Sequence, residues 1–154
     1  MPDPIPAGKD RVIPHITIKG AAEALEFYKK ALGAVEISRM PGPDGRLMHA
    51  EMRIGDSVIF LNDDFPEFCG GVERNPKALG NTTCTLHLYV EDTDAAVKKA
   101  EEAGATVTMP AQDMFWGDRY ATVTDPYGHA WSFATHVKDM TPEEIAEAGA
   151  KAFA

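Results

Sequence analysis

Hydrophobic residues recur with helical spacing in two stretches of the chain, and a glycine follows each stretch. Residues 24–32, before Gly33, carry apolar side chains three or four positions apart, and so do residues 96–103, before Gly104. This spacing places the apolar side chains on one helix face, and glycine readily adopts the left-handed conformation of a C-cap. We therefore predict two amphipathic helices.

Short runs of β-type residues surround both helices. Turn sequences separate these runs at residues 43–45 (Pro-Asp-Gly), 54–56 (Ile-Gly-Asp) and 125–128 (Asp-Pro-Tyr-Gly). The order of one strand, one helix and three strands occurs twice. After the second set, Thr-Pro-Glu-Glu at residues 141–144 is a capping-box pattern, which predicts a C-terminal helix over residues 141–153.

The two halves also resemble each other in sequence. HITIKG at residues 15–20 corresponds to HLYVED at residues 87–92, an offset of 87 − 15 = 72. The glycines after the helices are offset by 104 − 33 = 71, and residues 49–52 match residues 120–123 at that same offset of 71. Ordered similarity over this length indicates an internal repeat.

The repeat predicts an α+β fold of two tandem β-α-β-β-β modules. We place the modules at approximately residues 11–64 and 82–137, within a single domain over residues 1–154. Such modules form an open, curved sheet with free edges, and free edges invite pairing with another chain. We therefore expect a homodimer with an isologous interface.

Strand side chains alternate between two faces, so each predicted strand divides into an aliphatic and a polar set. We expect the aliphatic set to pack against the helices; its members are Ile16, Ile18, Met48, Ala50, Met52, Ile54, Leu86, Leu88, Val90, Ala121 and Val123. The polar set carries three of the five histidines, His15, His49 and His87. This concentration predicts a polar-lined ligand cavity. The alternative is a solvent-facing sheet surface with incidental histidines.

Eight residues are candidate ligand contacts on this basis. Seven lie on the polar faces of the strands, and Trp116 follows Phe115 in a loop just before one strand. Aromatic side chains in such a loop either cover a pocket mouth or pack at a junction between repeats or subunits. The candidates are His15, His49, Glu51, Arg53, His87, Tyr89, Trp116 and Tyr120.

Several motifs together resemble the vicinal oxygen chelate superfamily, which contains glyoxalases, bleomycin resistance proteins and dioxygenases. They are IKG at residues 18–20, EFY at 26–28 and ALG at 31–33, with DPYGH at 125–129 and WSF at 131–133. The resemblance covers roughly residues 11–137 and implies a half-barrel fold. MFWGDRY at residues 114–120 is similar to the small bacterial subgroup of demethylubiquinone-methyltransferase-like proteins.

The resemblance also bears on metal binding, because metal-dependent members use His or Glu at four strand positions. Those positions hold Ile13, Phe60, Thr85 and Ser132 here, none of them a strong metal ligand. We therefore expect no cofactor and no family metal.

An offset divalent metal site is the alternative, because His15 and His87 lie two residues beyond two of the family positions. With Glu51 or His49 they could form a site of two histidines and one carboxylate. Otherwise these histidines form hydrogen bonds to neighbouring residues, which we expect.

Two classes of function follow from these residues. The first is a small-molecule-binding protein of the bleomycin-resistance type, with its ligand in the His-rich cavity. The alternative is a glyoxalase-like lyase, isomerase or dioxygenase. In such an enzyme His87 or His15 is the general base and Glu51 its partner, since histidine titrates near neutral pH and a carboxylate orients it.

Composition limits the kinds of partner that we expect the protein to bind and the cellular compartment in which we expect it. The net charge of −9 argues against nucleic acids and anionic membrane surfaces, which prefer basic proteins. No apolar run reaches the length of a membrane span. Cys69 and Cys84 are too few for a disulfide framework, and the N-terminal residues lack signal-peptide character. We therefore expect a cytoplasmic protein.

Overall fold

The computed structural model describes residues 1–154, which divide into two compact units, Met1–Asn81 and Thr82–Ala154. The first unit contains, in order, β1 (His15–Ile18), α1 (Ala21–Leu32), β2 (Val35–Pro41), β3 (Leu47–Ile54), β4 (Ser57–Asp63), a 3-10 turn (Pro66–Phe68) and α2 (Pro76–Leu79). The second contains β5 (Thr85–Tyr89), α3 (Thr93–Ala103), β6 (Thr106–Asp113), β7 (Asp118–Thr124), β8 (Ala130–His136) and α4 (Pro142–Ala152).

Each unit has its own four-stranded mixed sheet. The strand orders are β1-β4-β3-β2 and β5-β8-β7-β6. The outer strand β1 runs parallel to β4, and β5 runs parallel to β8, whereas the other pairs are antiparallel. The predicted α+β fold with tandem β-α-β-β-β modules is therefore confirmed.

The register of the sheets reproduces the sequence repeat strand by strand. One row across the first sheet contains His15, Phe60, Glu51 and Ser38. The matching row of the second sheet contains His87, Ser132, Thr122 and Met109. The offsets are 72 for the first two pairs (87 − 15, 132 − 60) and 71 for the others (122 − 51, 109 − 38). Both edge strands also bulge by one residue beside this row, at Ile37 and Thr108.

Each long helix of the repeat covers one face of its own sheet. Ala24, Leu25 and Tyr28 of α1 are fully buried, and Gly33 ends that helix in the predicted left-handed conformation, with φ 65°. The aliphatic strand residues of the first unit bury themselves on the same side, for example Ile18 and Met52. The polar strand residues therefore point away from the helices.

The prediction that Met48 lies on the aliphatic face of its strand was wrong. Met48 is 53% exposed, whereas the preceding Leu47 is buried. The cause is a bulge in β3, because Pro41 pairs with Leu47 while the neighbouring Met40 pairs with His49. Met48 is the extra residue, and it shifts the alternation by one position before Ala50 restores it.

The predicted C-terminal helix is present as α4, and Thr141 and Glu144 make both hydrogen bonds of the capping box. Its far end packs on the residues before β7, where the Phe153 and Phe115 rings lie 5.9 Å apart. Gly149 lies so close that an added Cβ would come within 3.0 Å of the Phe115 ring. No helix of the protein has both the length and the apolar character needed to cross a membrane.

The side chain of His136 links the segment before α4 to β7 through two hydrogen bonds. Its Nε2 and Nδ1 atoms each lie 2.9 Å from a carboxylate oxygen, of Asp139 and Asp118 respectively. The hydrogen bond to Asp139, followed by that to Asp118, raises the pKa of His136. Since carboxylates only accept, both ring nitrogens must carry protons to make these bonds together.

A buried carboxylate holds the first helix on its sheet. Asp63, the last residue of β4, accepts hydrogen bonds from the backbone N–H groups of Gly20 at 2.9 Å, Ala21 at 3.0 Å and Leu47 at 2.7 Å. Gly20 is the N-cap residue, has φ 93° and offers no side chain of its own. From its position on β4, Asp63 therefore caps α1 in place of an N-cap side chain.

In the second unit the Asp92 side chain caps α3 by accepting from the Ala95 N–H at 3.0 Å, and hydroxyl groups connect the start of the helix to the last strand. Thr135, offset from Asp63 by 135 − 63 = 72, donates to the carbonyl of Val90 at 2.9 Å. Its Oγ1 also lies 2.8 Å from the hydroxyl of Thr93, the first residue of α3. In both units the end of the last strand is thus tied to the start of the helix.

Replacing Asp63 by Ala should lower the free energy of unfolding by about 3 kcal/mol, because three backbone donors lose a charged acceptor in a buried place. Urea denaturation of the purified variant measures this loss. Asp56→Ala, in an exposed turn, is the matched control and should change stability by less than about 0.5 kcal/mol. Equal effects of the two substitutions would contradict the role given to Asp63.

Candidate functional site

Three rings gather on the polar face of the first sheet. His15 on β1 lies 5.7 Å from His49 on β3 and 5.8 Å from Phe60 on β4, between ring centroids. His49 lies 4.8 Å from Phe60, and all three contacts are edge-to-face. The strand order puts them together, because β4 lies between β1 and β3 and Phe60 faces both histidines. His15 is exposed, and His49 is half-buried.

Glu51 extends this cluster along β3. Its Oε1 lies 3.5 Å from Nε2 of His49, and its Oε2 forms an ion pair with the ammonium group of Lys9. The hydrogen bond from Lys9 is the main reason that the pKa of Glu51 is lowered; His49 contributes in the same direction, and burial opposes both. Arg53, two residues further along the strand, is exposed and does not join the cluster.

The second sheet presents a different cluster around His87. Nδ1 of His87 lies 2.7 Å from the hydroxyl of Ser132, its partner across the β5–β8 register. Ser132 is only 1% exposed, whereas His87 is exposed. The Tyr89 ring lies edge-on at 4.8 Å, and the Tyr120 ring is nearly parallel at 6.0 Å. The contact with Ser132 fixes one ring nitrogen and leaves Nε2 for another partner.

Trp116 joins this second cluster through Tyr120, with ring centroids 5.5 Å apart. Its indole N–H donates to Asp118 at 3.1 Å, and its ring meets Phe115 edge-on at 5.0 Å. Phe115 packs against Phe153 at the end of α4, so the two neighbouring aromatic residues have different roles. Phe115 anchors the C-terminal helix, and Trp116 borders the polar face.

The residues at the family's metal positions do not fit a metal ion. Phe60 offers a carbon ring that packs against two histidines, and the Ser132 hydroxyl is engaged with His87. Ile13 has no donor side chain, and Thr85 offers a neutral hydroxyl. No group of three or more His, Cys, Asp or Glu side chains is arranged to hold a metal.

Two pockets lie away from the predicted residues. The first unit has one of about 390 Å³, lined by Gly42, Pro43, Asp44, Arg46, Met48, Phe65, Glu67 and Phe68. The second unit has one of about 370 Å³, lined by Asp94, Val97, Glu101, Val107, Pro110 and Ala111. None of the eight predicted ligand contacts lines either pocket.

Sequence reasoning missed three members of the clusters. Phe60 and Ser132 entered only as failed metal positions, although the repeat offset of 72 that relates His15 to His87 also relates Phe60 to Ser132. Pairing of the first and last strands of each module would have placed them beside the histidines. No sequence pattern predicted the contact of Lys9 with Glu51, because Lys9 lies 42 residues away in a segment without helix or strand.

Comparison with known proteins agrees with the fold and the motifs. The family model for the Glyoxalase/Bleomycin resistance protein/Dioxygenase superfamily matches residues 12–133. An uncharacterised protein of Mycobacterium bovis is 48% identical over 132 residues, which are 86% of this chain and 87% of that protein.

Solved structures share the fold at low identity. A glyoxalase/bleomycin resistance protein/dioxygenase family enzyme from Burkholderia phytofirmans has a TM-score of 0.65 at 19% identity, over 84% of this chain and 100% of that one. A Bacillus cereus PhnB protein, described as a putative 3-demethylubiquinone-9 3-methyltransferase, has a TM-score of 0.61 at 14% identity, over 82% and 99%. The resemblance seen in the sequence is confirmed: the chain belongs to the glyoxalase/bleomycin resistance protein/dioxygenase superfamily.

Proposed function

We propose that this protein binds a small molecule through the polar faces of its sheets and does so without the family metal. The observation that carries the proposal is the environment of the two repeat-related histidines. His15 packs against Phe60 and His87 is bonded to Ser132, so a ring and a hydroxyl stand at two of the family's four metal positions. Both histidines remain exposed and accessible to a ligand.

The contacts of Glu51 favour binding over catalysis. The enzyme alternative uses Glu51 as the partner of a His15 or His87 base, whereas its carboxylate contacts His49 and pairs with Lys9. The hydrogen bond from Lys9 lowers the pKa of Glu51, which keeps a negative charge beside His49. Such a charge suits recognition and orientation of a ligand.

One contact favours the second candidate, a glyoxalase-like lyase, isomerase or dioxygenase. As a general base His87 donates its Nδ1 proton to the Ser132 hydroxyl, which orients the ring and leaves Nε2 to accept a substrate proton. Turnover of a small oxygenated compound that depends on His87 would identify an enzyme.

His87→Phe should reduce ligand binding by roughly 5- to 150-fold, equivalent to about 1–3 kcal/mol for a lost polar partner. Hits are first found by a thermal-shift screen of small oxygenated metabolites and glycopeptide antibiotics, and their affinities are measured by calorimetry. Because the single substitution leaves the buried Ser132 hydroxyl without its partner, it should also destabilise the fold by a similar amount.

The double variant His87→Phe/Ser132→Ala separates the two effects. It removes the orphaned hydroxyl and should recover most of the lost stability, while binding stays weak. If the double variant bound ligand as tightly as the wild type, His87 would have a structural role only. If the screen yielded no hit for the wild type, the binding proposal itself would fail.

Protein purified without an affinity tag should contain clearly less than one divalent ion per chain, because the four family positions lack strong ligands. Elemental analysis measures this content. A stoichiometric metal lost in both His15→Ala and His87→Ala would instead establish an offset site and favour the enzyme.

We further propose a homodimer that forms through the edge strand β2, where Val35 and Met40 expose apolar side chains. Light scattering should report about twice 16.7 kDa. Val35→Lys should shift the protein to the monomer. Thr106→Lys, at the repeat-related position of β6 (106 − 35 = 71), is the control and should leave the dimer intact. A monomeric wild type would refute the dimer.

A further inference from the structure

The ammonium group of Lys9 contacts both a carboxylate and an aromatic ring. It pairs with Glu51 and lies 5.4 Å from the centroid of the Phe60 ring. The side chains of Lys9 and Glu51 are only 18% and 17% exposed, whereas Lys19, which also faces a glutamate, is 74% exposed. The ammonium group of Lys9 is therefore largely withdrawn from water.

The group that receives Lys9 has the chemistry of an ammonium-binding cradle, which we define as Glu51, Phe60 and His49. A carboxylate supplies the counter-charge, and an aromatic face attracts a cation through its quadrupole. His49 lies against both other members, 4.8 Å from the Phe60 centroid and 3.5 Å from Oε1 of Glu51. All three residues lie on the polar face of the sheet.

The repeat does not reproduce the cradle in the second sheet. The positions that correspond to Glu51 and Phe60 in the second sheet hold Thr122 and Ser132, which offer neither charge nor ring. The repeat thus preserves the histidine of the row, and the first module alone adds the groups that recognise a cation.

Lys9 is also attached loosely enough to be displaced. It belongs to the segment before β1, which contains no helix or strand, and its backbone N–H bonds only to the nearby Pro6 carbonyl, at 3.2 Å. A single ion pair and a single cation–π contact each hold a lysine side chain only weakly. A ligand cation of similar shape can therefore compete with it.

We propose that the cradle binds the ammonium group of an organic amine ligand, and that Lys9 occupies the cradle as an intramolecular competitor when the ligand is absent. This inference rests on the proposed binding function and assigns its ligand class. The carboxylate and ring select a cation, and the tethered lysine sets the threshold concentration above which an amine displaces it.

The test uses n-butylammonium, which reproduces the lysine side chain, with Lys9→Ala in the full-length protein. Titration is followed by NMR signals of the Phe60 and His49 rings, and the backbone spectrum confirms that the variant is folded. We expect saturable binding of n-butylammonium that is about five- to tenfold tighter in Lys9→Ala than in the wild type, since the competitor is gone.

Three controls define the specificity. Lys19→Ala removes an exposed lysine and should bind n-butylammonium as the wild type does. The double variant Lys9→Ala/Glu51→Gln should lose binding, and the neutral isostere n-butanol should not bind Lys9→Ala. Equal affinity in wild type and Lys9→Ala, binding of n-butanol, or retained binding in the double variant would each overturn the inference.

The same NMR signals distinguish failure of this inference from failure of the proposed function. If n-butylammonium does not bind Lys9→Ala, but a compound without an amine perturbs His15 or His87 in the wild type, the protein binds small molecules and only the amine assignment is wrong. If neither n-butylammonium nor any screened compound perturbs either face, both proposals are wrong.

Discussion

The attachment of each helix to the end of the last strand of its module is the constraint on which the rest of the structure depends. In the first unit Asp63 makes this attachment with a buried carboxylate that accepts from the start of α1 and the start of β3. In the second unit Thr135 and Thr93 make it with hydroxyl groups. A helix fixed in this way covers one sheet face, so the opposite face is left for His15, His49 and His87.

The polar faces combine the strand order of the superfamily with side chains that are not strong metal ligands at the positions that the resemblance assigns to a metal. Two of the four positions that the family resemblance assigns to a metal lie on the inner strands β4 and β8, where Phe60 and Ser132 occupy them. Each interacts with the neighbouring histidine, one by ring packing and the other by a hydrogen bond of 2.7 Å. Each of these histidines therefore has a side-chain partner on the neighbouring strand, and the binding proposal rests on this arrangement.

The two modules share a backbone plan and differ in charge. The first has Glu51 beside His49 with Lys9 over it, whereas the second has His87 among Tyr89, Tyr120 and the Ser132 hydroxyl. The duplicated fold thus presents two surfaces of different chemistry, one with a carboxylate and one with phenol rings and a hydroxyl. The segment before β1, which the repeat does not include, supplies the charge that balances Glu51.

The sequence by itself determined the secondary structure order, the repeat and the superfamily, because hydrophobic periodicity, glycine caps and turn residues are local signals. It also placed His15, His49 and Glu51 on one face, since strand alternation is a two-residue rule. Only the tertiary structure decided that Met48 leaves the aliphatic face at a bulge, since the extra residue follows from pairing with β2. Only the tertiary structure brought Lys9 to Glu51 across 42 residues, because an irregular segment has no periodicity that predicts where its side chains fold back.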